Sequence, residues 1–307
     1  MLQSSYTVGG AEEMSSLIVD KEKNRGLSAS QLKWIALITM TIDHLAAYGF
    51  EIPVFEKYFN VLRVIGRIAA PLFLFLLTES MRYTRDKKKY VLRLYLGAVG
   101  TGLFVTITNL LFDDSIGRFL QRNILFTYFY TALYILLLEE ILNGIRQKKW
   151  YRCGVALSGI CATVILHYLG MGIEDFPYAK YNLSFEEVWT IKDVTASLIR
   201  SPLYTEYTIL FTLMGILMYF VGNKYLKALV LVLFSAVCYL GNRIPFLSVL
   251  PVQSVLGFPQ YYMALAAGFI LLYNGKKGRG QKYFFYIYYP VHRYVISIAA
   301  YLFRMFG

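Results

Sequence analysis

The amino-acid sequence predicts an all-α fold, a polytopic bundle of membrane-spanning helices, on three observations. Of its 307 residues, 57% are hydrophobic and only 16% are charged, whereas a soluble domain usually carries about a quarter charged residues. Tyrosine, whose apolar ring and polar tip suit the membrane–water interface, occurs 27 times. The apolar residues are gathered in runs of about 20, the length that crosses a bilayer as a helix.

Nine of these runs are predicted to span the membrane, and a tenth is possible only if a shorter run also crosses. The nine cover residues 32–50, 60–80, 90–112, 124–142, 150–170, 205–221, 226–242, 257–273 and 283–304. The shorter run, 244–256, is expected to be re-entrant or interfacial. Residues 1–28 lack the features of a signal peptide, and we expect a disordered cytoplasmic tail there, followed by one membrane domain over 29–307.

The net charge of +12 would suggest a nucleic-acid partner in a soluble protein. Here the basic residues form short clusters between apolar runs, which is the pattern that sets membrane topology. With the N-terminus inside, every inner loop is basic. The charge pattern therefore predicts a multi-pass protein of the cytoplasmic (inner) membrane with membrane lipid as a partner and no nucleic acid. The three cysteines have no metal-ligand spacing, so no metal is expected.

Asp43 and His44 lie next to each other inside the first run. An ionisable residue at mid-membrane costs about 2.5–3.5 kcal/mol on insertion scales, so it indicates a cavity, a pairing partner or a function. A carboxylate fixes an imidazole tautomer, directly or from a neighbouring helix, and the pair then serves as a general base. A structural hydrogen bond between helices is the alternative interpretation.

Arg67 lies inside the second run, four residues before Pro71. The proline frees the carbonyl of Arg67 and is expected to kink the helix. Gly66 permits the close approach of another backbone, and Arg63 lies one turn away on the same face. We expect the Arg67 guanidinium either to pair with Asp43 as a structural element or to hold a phosphate or carboxylate.

The last run carries His292 at nearly the same predicted depth as His44. Pro290 interrupts its hydrogen-bond ladder, and Tyr289 shares a helical face with Arg293. Two histidines at matched depth favour one shared polar cavity. The alternative is an aromatic, hydrogen-bonded packing face.

Several segments occur in one order along the chain: LKWIALITMTIDHLAAY, GRIAAPLFLFLLTE, RNILFTYFYTALYILLLEE and LLYNGKKGRGQKYFFYIYYPVH. Together they resemble the TraX family, and the resemblance runs from about residue 30 to residue 300. The family takes its name from a conjugal-transfer protein linked to N-acetylation of pilin. It looks related to transmembrane acyltransferases, which carry acetyl groups from cytoplasmic acetyl-CoA to acceptors across the membrane.

The resemblance implies positions for the functional residues. His44 matches the key histidine on the first helix of those enzymes, Arg67 matches the arginine of GRIAxP, and His292 matches the histidine of the terminal YPxH. The sequence departs from the family pattern at Ala70, where phenylalanine is frequent, and at Arg293, where leucine is frequent. Arg293 is expected to alter the acceptor site.

These residues and the resemblance lead to the hypothesis of a membrane-embedded acetyltransferase that uses acetyl-CoA. His44, oriented by Asp43, would act as the general base, and Arg67 or Tyr289 would stabilise the oxyanion, with His292 in the same site. The phosphates of CoA would be held by basic residues of two inner loops, namely Arg82, Arg85, Lys88, Lys276, Lys277 and Arg279.

The acceptor would be an amine or hydroxyl of the cell envelope, in a pilin-like peptide, a glycan or a lipid head group. A multi-pass transporter or flippase that uses the midplane ionisable residues is an alternative function. A non-catalytic membrane assembly protein is a second alternative. The identity of the acceptor, an acetyl-histidine intermediate and the oligomeric state are left open.

Overall fold

The structure, a computed structural model, describes residues 26–49, 52–111, 123–174, 176–241, 243, 256, 258–280 and 282–306. Within these ranges the chain is helical apart from its turns, and the only β-type pairing is an isolated bridge between Leu27 and Tyr273. The all-α prediction is confirmed. The predicted N-terminal tail and the short run 244–256 lie almost entirely outside the described residues.

The α-helices follow most of the predicted runs, and one further helix, Phe185–Leu198, lies between the fifth and sixth runs. They are α1 (Ala29–Tyr48), α2 (Pro53–Gly66), α3 (Ala69–Tyr83), α4 (Lys87–Leu111), α5 (Ile124–Arg146), α6 (Trp150–Glu174), α7 (Phe185–Leu198), α8 (Thr208–Val221), α9 (Lys224–Gly241), α10 (Ala266–Leu271) and α11 (Lys282–Phe306). Short 3₁₀ segments cover Tyr178–Tyr181, Pro202–Tyr204 and Gln260–Leu265, and the last of these continues directly into α10.

Five segments of the described chain are long and apolar enough to cross a membrane. They are Pro53–Tyr83, Lys87–Leu110, Ile124–Arg146, Trp150–Ile173 and Lys224–Gly241. Thr208–Val221 and Gln260–Leu271 are apolar but shorter. Helices α1 and α11 are long enough but contain the ionisable residues singled out above, which lower their hydropathy. The protein is therefore a multi-helix membrane protein, and the count of nine spans stays a prediction.

Helix α3 occupies the centre of the bundle. Residues 66–72 and 74–78 are buried almost without interruption, and α3 packs against α1, α5, α8 and α10. Helix α6 lies at the periphery and exposes large apolar side chains such as Val155, Ile165 and Leu169. An apolar surface of this extent is stable in lipid and not in water.

The first helix begins where its sequence provides a cap. The side chain of Ser28 accepts a hydrogen bond from the Gln31 backbone N–H, and the side chain of Gln31 accepts one from the Ser28 backbone N–H. These two bonds satisfy donors that a helix start leaves unpaired. At the start of α4 the Lys89 backbone N–H donates to Asp86, and this bond lowers the pKa of the exposed Asp86 carboxyl.

The basic loops assemble at one end of the bundle. Arg82 donates to the carbonyls of Tyr219 and Gly222 at the end of α8, and Lys224 donates to the carbonyls of Leu271 and Tyr273. Further contacts join the same surface: the Ala29 N–H to the Lys276 carbonyl, Lys87 to Glu139, and Arg152 to Glu140. Loops that the charge pattern assigned to one side of the membrane therefore lie together.

Candidate functional site

The predicted kink in the second run is a break between two helices. Helix α2 ends at Gly66 and α3 begins at Ala69, with 3₁₀-type bonds across the break, from the Arg67 N–H to Val64 and from the Ile68 N–H to Ile65. Because Pro71 has no N–H to donate, the Arg67 carbonyl loses its helical partner. The second run is therefore built from two helices, α2 and α3, which together form the candidate span Pro53–Tyr83.

The Asp43 carboxylate on α1 contacts two arginines, Arg63 near the end of α2 and Arg67 in the break. Arg67 Nη2 lies 2.5 Å from Asp43 Oδ2, and Arg63 Nη1 lies 2.9 Å from Asp43 Oδ1. Arg67 also donates from Nη1 to Gln260 Oε1 at 3.2 Å and from Nε to the Arg63 carbonyl at 3.3 Å. The pairing of Asp43 with Arg67 is confirmed, and both side chains are buried.

Gly66 makes this arrangement sterically feasible. A β-carbon at position 66 would lie 2.2 Å from the Asp43 β-carbon, far inside van der Waals contact. The predicted close approach at Gly66 is therefore confirmed, and the element that approaches is the Asp43 turn of α1.

Gly66→Ala is expected to separate α1 from α2 and disturb the Asp43 ion pairs, with a loss of about 1–3 kcal/mol in the free energy of unfolding. Gly100→Ala in α4 is the matched control, because a β-carbon there would meet nothing within 4 Å. Thermal unfolding in detergent would compare the two variants with the wild type. Equal stability of both would contradict the steric role of Gly66.

The two histidines meet across α1 and α11. His44 Nδ1 lies 2.7 Å from His292 Nε2, and the ring centroids are 4.9 Å apart. His292 Nδ1 lies 2.7 Å from the backbone carbonyl of Tyr288. The predicted proximity of the two histidines is therefore confirmed, as a direct contact that the sequence did not predict, whereas a polar cavity shared by them stays a prediction.

This chain of hydrogen bonds determines the tautomers. A carbonyl can only accept, so His292 Nδ1 carries a proton and the Nε2 of the neutral ring is an acceptor. His44 Nδ1 must then donate to it, which leaves the lone pair of His44 on Nε2. No described residue forms a hydrogen bond with that Nε2, and the His44 side chain is only half-buried. His44 Nε2 therefore carries a lone pair that has no hydrogen-bond partner among the described residues.

The predicted role of Asp43 in orienting His44 is wrong. Successive residues of a helix point about 100° apart, so the Asp43 carboxylate faces α2 and the His44 ring faces α11. The group that orients His44 is His292, which is held in turn by the Tyr288 carbonyl.

Tyr289 lies beside the histidine pair on α11. Its hydroxyl accepts hydrogen bonds from Arg293 Nη1 and from the Ile124 backbone N–H, each at 3.3 Å. Arg293 also donates to the hydroxyl of Tyr48, so the predicted face of Tyr289 and Arg293 is confirmed. Because the Tyr289 oxygen already accepts two bonds, its own O–H is oriented to donate.

Three residues of this polar cluster were not singled out from the sequence, namely Tyr48, Gln260 and Glu206. Gln260 receives a hydrogen bond from Arg67, and Glu206 interacts electrostatically with Arg67 and Arg293. Gln260 is a buried amide inside the eighth predicted run, which was a usable signal. Glu206 lies at the edge of the sixth run, where a carboxylate usually faces water and gives no signal.

The six basic residues predicted to hold phosphates lie at the basic end. The basic end is far from the polar cluster. Ala29, whose N–H donates to the Lys276 carbonyl, lies roughly 21 Å from Asp43 along α1, at about 1.5 Å per residue. Five of the side chains are exposed there: Arg85, Lys88, Lys276, Lys277 and Arg279. Arg82 differs, because its guanidinium donates to the two carbonyls at the end of α8 and so stabilises the fold.

A separate small cleft lies between α4, the start of α5 and α7. Asn123, Asp193 and Ser197 are among its lining residues. Asn123 caps α5 by accepting a hydrogen bond from the Leu125 backbone N–H. Asn123, which lines the cleft, directly precedes Ile124, whose backbone N–H donates to the Tyr289 hydroxyl.

A comparison with family models decides the relationship of this chain. The model described as TraX protein matches residues 28–299, nearly the whole membrane domain. The chain belongs to the TraX family. The matched residues of this TraX chain include every member of the polar cluster, from Asp43 on α1 to Arg293 on α11.

A curated relative of this TraX chain is the probable fimbrial assembly protein FimC, serogroup H1, of Dichelobacter nodosus. It is 28% identical over 284 residues, which cover 88% of this chain and 94% of the relative. No solved structure matches the chain.

Proposed function

We propose that this TraX chain is an acetyltransferase of the cytoplasmic membrane that moves an acetyl group from acetyl-CoA to an amine or hydroxyl of the cell envelope. One observation carries the proposal: a histidine pair inside the bundle leaves a basic nitrogen, His44 Nε2, open beside a cluster of arginines. The basic end of the bundle faces the cytoplasm, with the N-terminus, in agreement with the positive-inside rule.

In the proposed reaction His44 Nε2 takes the proton of the acceptor amine or hydroxyl as the acceptor nitrogen or oxygen attacks the thioester carbonyl. A bond forms between the acceptor and the acetyl carbon, and the carbonyl oxygen becomes an oxyanion. The C–S bond then breaks, and the proton held by His44 neutralises the departing thiolate. The ring needs no covalent acetyl intermediate for this sequence.

The oxyanion needs hydrogen-bond donors that are already in place. Tyr289 supplies an O–H that is oriented by Arg293 and Ile124, and Arg67 supplies a buried positive charge that is fixed by Asp43. Fixed donors of this kind lower the barrier because they do not reorganise during the reaction.

Acetyl-CoA is the proposed donor because the structure separates two kinds of basic residue. Exposed lysines and arginines at the cytoplasmic end suit phosphates. The buried Arg67 contacts Asp43, which lies about 21 Å along α1 from that end. CoA has the same division, with phosphates at one end of a long thin arm and a thioester at the other. Lys276, Lys277, Arg279, Arg85 and Lys88 are the residues that would hold the phosphates.

The acceptor is proposed to belong to a surface fibre or its assembly route. The support is the relative from Dichelobacter nodosus, a probable fimbrial assembly protein that aligns over 88% of this chain. A fimbrial subunit presents both an N-terminal amine and side-chain hydroxyls, so either chemistry fits the proposed base.

The test is transfer of labelled acetyl from acetyl-CoA by the full chain purified in detergent, with ethanolamine as a small acceptor that presents both an amine and a hydroxyl. We expect acetyl-ethanolamine, identified by mass spectrometry, at a rate that saturates with acetyl-CoA. Absence of product from folded protein, together with absence of any acetyl difference in envelope material from cells with and without the gene, would overturn the proposal.

A non-catalytic role in fimbrial assembly is a second candidate, favoured by the name of the same relative. A strain that carries His44→Ala separates the two. Normal surface fibres and an unchanged acetylation pattern in that strain would favour the assembly role, whereas loss of an acetyl group from an envelope component would favour the enzyme.

A further inference from the structure

Arg63 is the arginine of the cluster with donors to spare. Its contacts with Asp43 use Nη1, at 2.9 Å from Oδ1 and 3.5 Å from the backbone carbonyl. In the described part of the chain, no hydrogen bond involves Arg63 Nε or Nη2, and 22% of the side chain is exposed. Arg67 differs, because all three of its nitrogens donate to protein acceptors and only 8% of its side chain is exposed.

The described cluster contains more positive than negative charge. Three guanidiniums, those of Arg63, Arg67 and Arg293, lie with two carboxylates, Asp43 and Glu206. The single negative charge of Asp43 is shared between two guanidiniums, because Oδ2 lies 2.5 Å from Arg67 and Oδ1 lies 2.9 Å from Arg63. An unbalanced guanidinium in a partly dry site attracts an anion more strongly than the same group does in water.

We propose that Arg63 binds an anionic group, a carboxylate or a phosphate, carried by the acyl acceptor, and thereby selects the acceptor. The proposal rests on the acetyltransferase function proposed above and names the class of its second substrate. A planar guanidinium whose Nε and Nη2 have no protein acceptor among the described residues matches either oxyanion through paired hydrogen bonds. Arg63 also acts electrostatically on His44, so an anion bound there lies near the proposed base.

The first experiment measures anion binding and does not depend on catalysis. The full chain in detergent is titrated calorimetrically with sodium acetate and with inorganic phosphate. We expect saturable binding of at least one of them and at least tenfold weaker binding to Arg63→Gln. Arg63→Lys, which keeps the charge next to Asp43 but loses the planar fork, is expected to bind with an intermediate affinity.

Lys57→Gln is the matched control for this experiment. It removes one positive charge from the same helix, at an exposed site where the ammonium lies over the Tyr58 ring. Binding to Lys57→Gln is expected to equal binding to the wild type. Wild type that binds neither anion, or equal binding to the wild type and both Arg63 variants, would overturn the proposal.

The second experiment compares matched acceptors in the transfer assay. O-phosphoethanolamine is paired with ethanolamine, and β-alanine is paired with β-alaninamide, so each pair differs in its anionic group. Wild type is expected to prefer one anionic member at least tenfold in kcat/KM, and Arg63→Gln is expected to lose that preference while it still acetylates the neutral member. The preferred pair identifies phosphate or carboxylate.

The two proposals fail in different ways. Transfer to ethanolamine with no preference for either anionic acceptor would overturn the role of Arg63 and leave the enzyme intact. Anion binding that depends on Arg63, without transfer to any of the four acceptors, would overturn the acetyltransferase and leave an anion site.

Discussion

His44→Ala is expected to lower the rate of acetyl transfer by about 10²–10⁴-fold, the range that a positioned general base contributes. The physical reason is that Nε2 of His44 holds the lone pair that the hydrogen-bond chain through His292 and the Tyr288 carbonyl leaves open. The measurement is the initial rate with saturating acetyl-CoA and ethanolamine, on protein whose folding is verified by its elution and thermal unfolding.

His167→Ala is the control for that loss. His167 bonds to Ser201 at 2.7 Å, between α6 and the segment before α8, and has no place in the proposed reaction. Its removal is expected to leave the rate within about threefold of wild type, a difference below 1 kcal/mol. Full activity of His44→Ala would remove His44 from the mechanism.

Asp43→Ala is expected to cost about 3–5 kcal/mol in the free energy of unfolding. Removing the carboxylate leaves the Arg67 guanidinium buried without its counter-charge, and an unpaired buried charge is the costly product of such a substitution. Asp43→Asn keeps the shape and an acceptor oxygen and is expected to lose less.

Thermal unfolding in detergent and titration with a denaturing detergent would measure this loss. Asp86→Ala is the control, since Asp86 is an exposed carboxylate that caps the start of α4, and its removal is expected to cost only about 0.5–2 kcal/mol. In Asp43→Ala/Arg67→Met the buried charge disappears as well, so stability is expected to recover in part. Wild-type stability of Asp43→Ala would show that the ion pair is not a stabilising element.

Most of the helices were predictable because the apolar runs are bounded by charged or helix-breaking residues, whereas α7, which is polar and lies between two runs, was not predicted. The run around Arg67 shows the limit of that reasoning. Pro71 predicted a weakened hydrogen-bond ladder, but hydropathy does not distinguish a kink from the observed break between Gly66 and Ala69. The break begins at Arg67, one turn after Arg63, and both arginines contact Asp43.

Within the site, the sequence predicted which residues meet and not which way each one faces. The cost of a charge in the membrane made Asp43, His44, Arg67 and His292 stand out. Adjacent residues diverge around a helix, so the orientation of His44 depends on the position of α11, which is a long-range contact that local pattern does not reveal. The same reason explains why Glu206, at the edge of an apolar run, was missed.

The measurement that tests the central claim most directly is a double-mutant cycle between His44 and His292 on kcat/KM for acetyl transfer. Because His292 is expected to act only by orienting His44, we expect His292→Ala to be slow, and His44→Ala/His292→Ala to be no slower than His44→Ala alone. Losses that multiply in the double variant, or a His292→Ala protein as fast as wild type, would contradict the coupled pair and the mechanism built on it.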